Sequence, residues 1–262
     1  MHPPANPSST AVPDGQFIPP PPPATFFARA VVRFIDWVER GIARHAVFGN
    51  PPVYDPARFP WIAEIERDWR LIRAELDAVL TRHDELPNFQ DISVDVKTIQ
   101  RDNQWKTFFF LGYGRRIEEN LRRCPETARL LKKIPRIKTA FFSILSPHKH
   151  IPAHRGPYNG VLRYHLGLLV PEPRERCRIR VADQYLVWEE GRTLVFDDSF
   201  NHEVWNDTDG RRAVLFVDFE RPVRFPFNLL NKLVLSLAVF TPYIREAEQN
   251  QKAWERKFYA RR

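Results

Sequence analysis

The sequence predicts a mainly β protein, an antiparallel sandwich or barrel with helices on both sides. Between residues 137 and 219 run seven short β-rich stretches, "IKTAFFSIL", "VLRYHLGLLV", "CRIRVAD", "YLVWEE", "TLVFDD", "HEVWND" and "RAVLFVDFE", separated by turn residues. Before and after them the apolar residues recur at helical rather than alternating spacing. A chain of 262 residues with 43% hydrophobic composition is long enough for one catalytic domain with appendages.

The elements follow in order. Residues 1–23 are proline-rich, with an unbroken run from Pro19 to Pro23, and predict a disordered or polyproline tail. From Thr25 to Arg44, Phe27, Val31, Phe34, Ile35, Val38 and Ile42 form one apolar face, and Arg29, Arg33, Asp36 and Arg40 lie opposite. A second helix is expected from Pro60 to Arg82 through Trp61, Ile65, Trp69, Ile72, Leu76 and Val79. Residues 111–138 read as mostly helical, with nine Arg or Lys against three Glu. After the β region, residues 225–244 predict an amphipathic helix in which Asn228, Asn231, Lys232 and Ser236 interrupt a broad apolar face, followed by a basic tail.

A formal charge of +8 favours an anionic partner, whether a membrane surface, a nucleic acid or an acidic small molecule. No nucleic-acid-binding motif accompanies the charge, so that partner is not expected. With Cys124 and Cys177 the only cysteines, the sequence predicts neither a disulfide framework nor a CxxC site, and it points to a reducing compartment. The opening residues lack the pattern of a secretory signal, and no apolar run approaches the length of a spanning helix.

The candidate chemistry lies in the β region. In "AHRGPYNG", His154 is followed two residues later by Gly156, where a His-x-carboxylate metal arm would carry Asp or Glu. Arg163 and His165 share a strand face by the same spacing. His202 and Arg212 flank the turn "NDTDG". A hairpin pairing Trp205 with Arg211 would make them diagonal neighbours roughly 7–8 Å apart. That separation suits a short dicarboxylate held by a metal at one end and a guanidinium at the other. His148 and His150 sit in a loop-like "SPHKHIP" and are weaker metal candidates. Asp197 and Asp198 could ligate a metal but read first as a turn cap, Asp218 as a partner for an arginine, and Trp188 and Trp205 as core.

With those residues in place, "FSILSPHKHIPAHRGPYNGVLRYHLGLLVPEP" and "WEEGRTLVFDDSFNHEVWNDTDGRRAVLFVDFERP" resemble the aspartyl/asparaginyl β-hydroxylase family. The resemblance implies a double-stranded β-helix, a jelly roll of the cupin kind. It also implies an oxygenase dependent on Fe(II), 2-oxoglutarate and O2. Carried over residue by residue, it implies that His154 and His202 bind iron with Gly156 at the vacant third position. Ser143 and Arg212 would hold the distal carboxylate of 2-oxoglutarate, and Arg163 and His165 would contact its chelating end.

Upstream, "NPPVYDPARFPWIAEIERDW" and "CPETARLLKKIP" resemble the bacterial branch that includes lipid A 2-hydroxylases. The expectations are therefore a Pro-rich tail over 1–23, a helical region over 24–136, a catalytic core over 137–222, and a C-terminal helix with a basic tail over 223–262. The expected substrate is an acyl chain of a membrane lipid, first lipid A and then ornithine lipid. The chain would act peripherally at the cytoplasmic face of a bacterial inner membrane, or in the cytoplasm. Peptidyl Asp/Asn β-hydroxylation is a further alternative. A cupin-like binding module without chemistry is the rival from another class, and His154, His202 and Arg212 together argue against it.

Overall fold

Phe108, Phe109 and Phe110 are consecutive and all buried, and an extended chain can bury three adjacent aromatics only if both faces of its sheet are covered. The computed structural model, which describes residues 25–93, 96, 97, 99, 101–112 and 115–260, provides that cover. Its strands are β1 (Val53–Tyr54), β2 (Trp105–Gly112), β3 (Arg115–Arg116), β4 (Ile137–Leu145), β5 (Lys149–His154), β6 (Val161–Leu169), β7 (Cys177–Val181), β8 (Gln184–Val187), β9 (Thr193–Phe196), β10 (His202–Asn206) and β11 (Arg212–Glu220). They form a major sheet in the order β1-β9-β6-β11-β4-β2-β3 and a minor sheet in the order β5-β10-β7-β8. From β4 onward the chain passes repeatedly between the two, as a double-stranded β-helix does.

The helices are α1 (Phe26–His45), α2 (Trp61–Arg67), α3 (Trp69–Leu80), α4 (Phe89–Ile92), α5 (Glu118–Arg123), α6 (Pro125–Leu131), α7 (Phe227–Ala238) and α8 (Pro242–Ala260). Ile62, Ile65, Ile72, Leu76, Leu130 and Phe258 pack on Phe108, Phe110, Phe142 and Leu215, covering the outer face of the major sheet. A second core lies between the sheets, where Phe109, Phe141, Val214 and Phe216 meet Ile151, Ile179, Val181 and Val204. Strand alternation thereby assigns the inner face: the odd positions of β4 and β6 and the even positions of β11 point between the sheets.

Several expectations change. The Trp205–Arg211 hairpin does not form, because β10 pairs with β5 and β7 whereas β11 pairs with β4 and β6. His202 and Arg212 consequently belong to opposite sheets, and the turn between them crosses the sandwich. Trp105–Gly112, in the stretch expected to be helical, is a full strand of the major sheet. Its unbroken apolar run reflects burial on both faces, which hides the alternation that would have marked it. The helix expected over 60–82 is divided at Asp68 into α2 and α3. The last helical stretch restarts at Pro242, as a proline favours, and α8 continues through most of the expected basic tail. The Pro-rich segment 1–23 lies outside the described residues.

Candidate active site

Antiparallel pairing sets His154 at the end of β5 directly opposite His202 at the start of β10. Their ring centroids are 4.1 Å apart. In each ring Nδ1 faces a main-chain carbonyl, Pro152 O at 2.8 Å for His154 and Phe200 O at 3.0 Å for His202. A carbonyl only accepts, so Nδ1 donates, and a neutral ring then keeps its lone pair on Nε2. Burial lowers the His154 pKa to about 4 and holds that of His202 well below the usual imidazole range. Two neutral imidazoles with oriented Nε2 atoms can supply two donors to a divalent metal.

Ser143 on β4, His165 on β6 and Arg212 on β11 converge deeper between the sheets and are all buried. Trp105 Nε1 donates to Ser143 Oγ at 3.0 Å, and the Arg212 guanidinium lies 4.3 Å from the Trp188 ring. Arg212 Nε and Nη1 and both ring nitrogens of His165 are buried without a hydrogen-bond partner. A protein tolerates so many buried unsatisfied polar atoms only where something else completes them, since each costs about 1–3 kcal/mol and more when charged. Burial lowers the Arg212 pKa to about 10, which leaves it a cation at neutral pH. A buried cation beside a hydroxyl and a neutral imidazole matches a carboxylate-bearing cosubstrate. The residues present therefore fit iron and 2-oxoglutarate.

Asp198 was expected to cap a turn, but its carboxyl is buried against Gly156. A Cβ added to Gly156 would lie 2.1 Å from Asp198 Oδ2, and Gly156 N–H donates to Asp198 O at 2.7 Å. The carboxylate missing from the His154 arm is thus replaced in space by one from the β9–β10 connection. Asp198 does not complete a cluster of three metal-binding side chains among the described residues. Arg163 holds it through Nη2 at 2.8 Å and grips Asp218 at 2.9 and 3.1 Å, so Asp218 pairs with an arginine as expected. Burial raises the Asp198 pKa to about 7 against the opposing charge of Arg163. Asp197 does cap the turn, accepting from Ser199 N, and its other oxygen pairs with Arg221 at 2.7 Å.

His148 and His150 lie away from this centre, paired with Asp209 and Glu203 respectively. Trp205 stacks on His150 rather than filling the interior.

A cavity of about 760 Å³ opens onto His154, Gly156, Arg163 and Asp198. Phe89, Ile92, Trp105, Phe109, Phe141 and Phe216 make one wall, and Ile244, Ala247 and Gln251 of α8 make the other. Arg115, Arg116, Lys252, Glu118, Glu248 and Glu255 also line it, so polar groups of both signs accompany the apolar walls. Ser143, His165, His202 and Arg212 sit behind this lining. The approach of Asp198 to Gly156 and the α8 wall had no signal in the local sequence, because the residues that meet there are far apart along the chain.

The aspartyl/asparaginyl beta-hydroxylase family model matches residues 66–222. The chain is 55% identical over 232 residues to an ornithine lipid ester-linked acyl 2-hydroxylase of Rhizobium tropici, covering 88% of this chain and 83% of that one. It is 38% identical over 170 residues to the human aspartyl/asparaginyl beta-hydroxylase, covering 63% of this chain and 22% of that much longer protein. Among solved structures, a Pseudomonas putida prolyl-4-hydroxylase shares 18% identity, covering 61% of this chain and 98% of that chain at a TM-score of 0.38. The match across the whole catalytic region and the level of identity establish that this chain belongs to the aspartyl/asparaginyl beta-hydroxylase family.

Proposed function

We propose that this chain is an Fe(II)- and 2-oxoglutarate-dependent hydroxylase that adds a hydroxyl to an acyl chain of a bacterial membrane lipid, the ester-linked chain of ornithine lipid. The observation that carries the substrate class is the large cavity walled by Phe89, Ile92, Phe109 and Phe141 that reaches His154. An apolar trough of this kind aligns a hydrocarbon and excludes water from a reacting C–H. The Rhizobium tropici relative moves the preferred lipid from lipid A to ornithine lipid. The lining supports the same choice: an ornithine headgroup presents an ammonium and a carboxylate, and the cavity offers Glu118 and Glu255 beside Arg116 and Lys252. A phosphorylated headgroup would meet those carboxylates unfavourably.

In this reading His154 and His202 hold iron, and Arg212 and Ser143 take the distal carboxylate of 2-oxoglutarate. Iron, 2-oxoglutarate and O2 together supply the oxidant that turns C–H into C–OH. Trp105 orients the Ser143 hydroxyl, and the Trp188 face packs against the planar Arg212 guanidinium and holds it in place. Asp198, held by Arg163, presents an oxygen where a third protein ligand would approach and can accept a hydrogen bond from water there. The reaction would take place at the cytoplasmic face of the inner membrane.

Mass spectrometry of membrane lipids with and without the gene tests the substrate. Gain of one oxygen on the ester-linked chain of ornithine lipid is expected. The same gain on lipid A, or hydroxylated Asp or Asn in a protein with unchanged lipids, would overturn the ornithine-lipid reading.

A further inference from the structure

No helix among the described residues is long and apolar enough to cross a membrane, yet apolar side chains crowd one part of the surface. The apolar stripe of α1 is continuous, but its two halves differ. Val38 and Ile42 are buried against the body, whereas Phe27, Val31 and Phe34, on the same face one to three turns earlier, are exposed, Phe27 by 79%. The first half of α1 therefore overhangs with its core-type face uncovered. On α7, Leu229, Leu233, Leu237 and, just beyond, Phe240 lie along one line and are all more than half or about half exposed, Phe240 by 66%. The two helices meet where the Trp37 ring lies 6.0 Å from Phe34 and 5.3 Å from Phe227, which faces α1 rather than standing in the exposed line of α7. The helices approach closely there because Gly41 has no side chain: a Cβ would fall inside the Phe227 ring.

We propose that the overhanging half of α1 and the outer stripe of α7 together form the surface by which this chain docks on an anionic bilayer leaflet. This rests on the reading of a membrane-lipid substrate. Charge selects the partner. Arg29, Arg33, Arg40 and Arg44 are exposed on the polar side of α1, opposite the stripe, and from Arg221 to Arg245, a stretch that contains α7, there is no Asp or Glu. Glu39, one of the two acidic residues of α1, is turned inward, its Oε1 accepting the Asn159 N–H at 3.0 Å. An apolar face with arginines on the polar side of the same helix is the pattern of a helix lying in the headgroup boundary, and each basic residue near an anionic surface raises partitioning about five-fold.

The same helices hold the rim of the site. Asn231 of α7 donates to Gly160 O at 2.9 Å and accepts from Tyr158 OH at 3.0 Å, while Glu39 of α1 holds Asn159. That turn follows His154, Arg155 and Gly156 directly. Docking would therefore set the cavity at a defined position relative to the leaflet that contains its substrate.

Co-sedimentation of the full chain with vesicles of phosphatidylcholine alone, or mixed with phosphatidylglycerol, tests the surface. Salt-sensitive binding to the mixed vesicles and little to the neutral ones is expected. F26S/F27S and L233S/L237S should each weaken binding at least ten-fold, and R29E/R33E should remove the preference for phosphatidylglycerol. These positions are exposed, so the fold should persist, and hydroxylation of detergent-dispersed ornithine lipid by the variants should match that of the unaltered chain. Equal vesicle binding by the serine variants would overturn the docking surface, as would a dimer that they convert to monomer without any vesicle binding. Failure of docking with intact hydroxylation of dispersed lipid defeats only this inference. Intact docking with no oxygen added to any lipid defeats only the substrate reading.

Discussion

The candidate site has a closed end buried behind the cavity and an open end that is the cavity itself, and the two are built differently. At the closed end, Ser143, His165 and Arg212 stand on three neighbouring strands of one sheet, and their positions follow from the pairing of β11 with β4 and β6. At the open end, α4 and α8 bring Phe89, Ile92 and Ile244 together from segments far apart in the chain. The closed end carries buried polar groups that await a charged partner, and the open end carries apolar surface. On the proposed function, reaction chemistry rests on strand register, whereas substrate choice rests on helix packing, and the two can vary separately.

That separation can be broken by substitution. The largest effect is expected at the metal: His154→Ala or His202→Ala should abolish iron-dependent succinate formation and sharply weaken Co(II) binding followed by its absorption spectrum, leaving the open end unchanged. Arg212→Met should raise the 2-oxoglutarate KM about 10- to 100-fold, as expected for loss of a charge-assisted hydrogen bond worth about 1.5–3 kcal/mol. Because Arg212 is buried with unpaired donors, the melting temperature of the ligand-free variant should hold or rise. A marked fall would show that Arg212 is structural.

A smaller effect is expected at Gly156. Gly156→Ala forces a methyl onto the Asp198 carboxylate and should destabilise by about 1–3 kcal/mol, a drop of roughly 2–4 °C per kcal/mol in a calorimetric scan. Adding Asp198→Gly should recover at least 0.5 kcal/mol of that loss, a non-additivity that two independent sites would not show. The mildest change is at the open end. Ile244→Trp should shorten the trough, lowering turnover on long acyl chains relative to short ones without altering the 2-oxoglutarate KM. An equal loss on both chain lengths would mean that α8 does not contact the substrate.

Much of the closed end was legible in the sequence, because i and i+2 on a strand share a face whatever the strand's partners are. Arg163 and His165 could be paired on that ground alone, and His154 and Gly156 could be compared. The error over His202 and Arg212 arose at a turn, where local residues announce a reversal but not whether it stays within one sheet. Phe108–Phe110 concealed a strand because burial on both faces erases its period. Asp198 was out of reach for another reason: its role depends on Gly156, 42 positions away, and on Arg163 between them. The helical stripes of α1 and α7 were visible, but which half of α1 is covered depends on where the body ends.

The most direct test of the account joins the two ends in one assay. Purified chain supplied with Fe(II), 2-oxoglutarate, O2 and ornithine lipid should form succinate and mono-oxygenated lipid in equal amounts, with the new hydroxyl on the ester-linked acyl chain. Oxygenated lipid formed without 2-oxoglutarate, or succinate formed with no oxygen entering the acyl chain of any lipid, would contradict it.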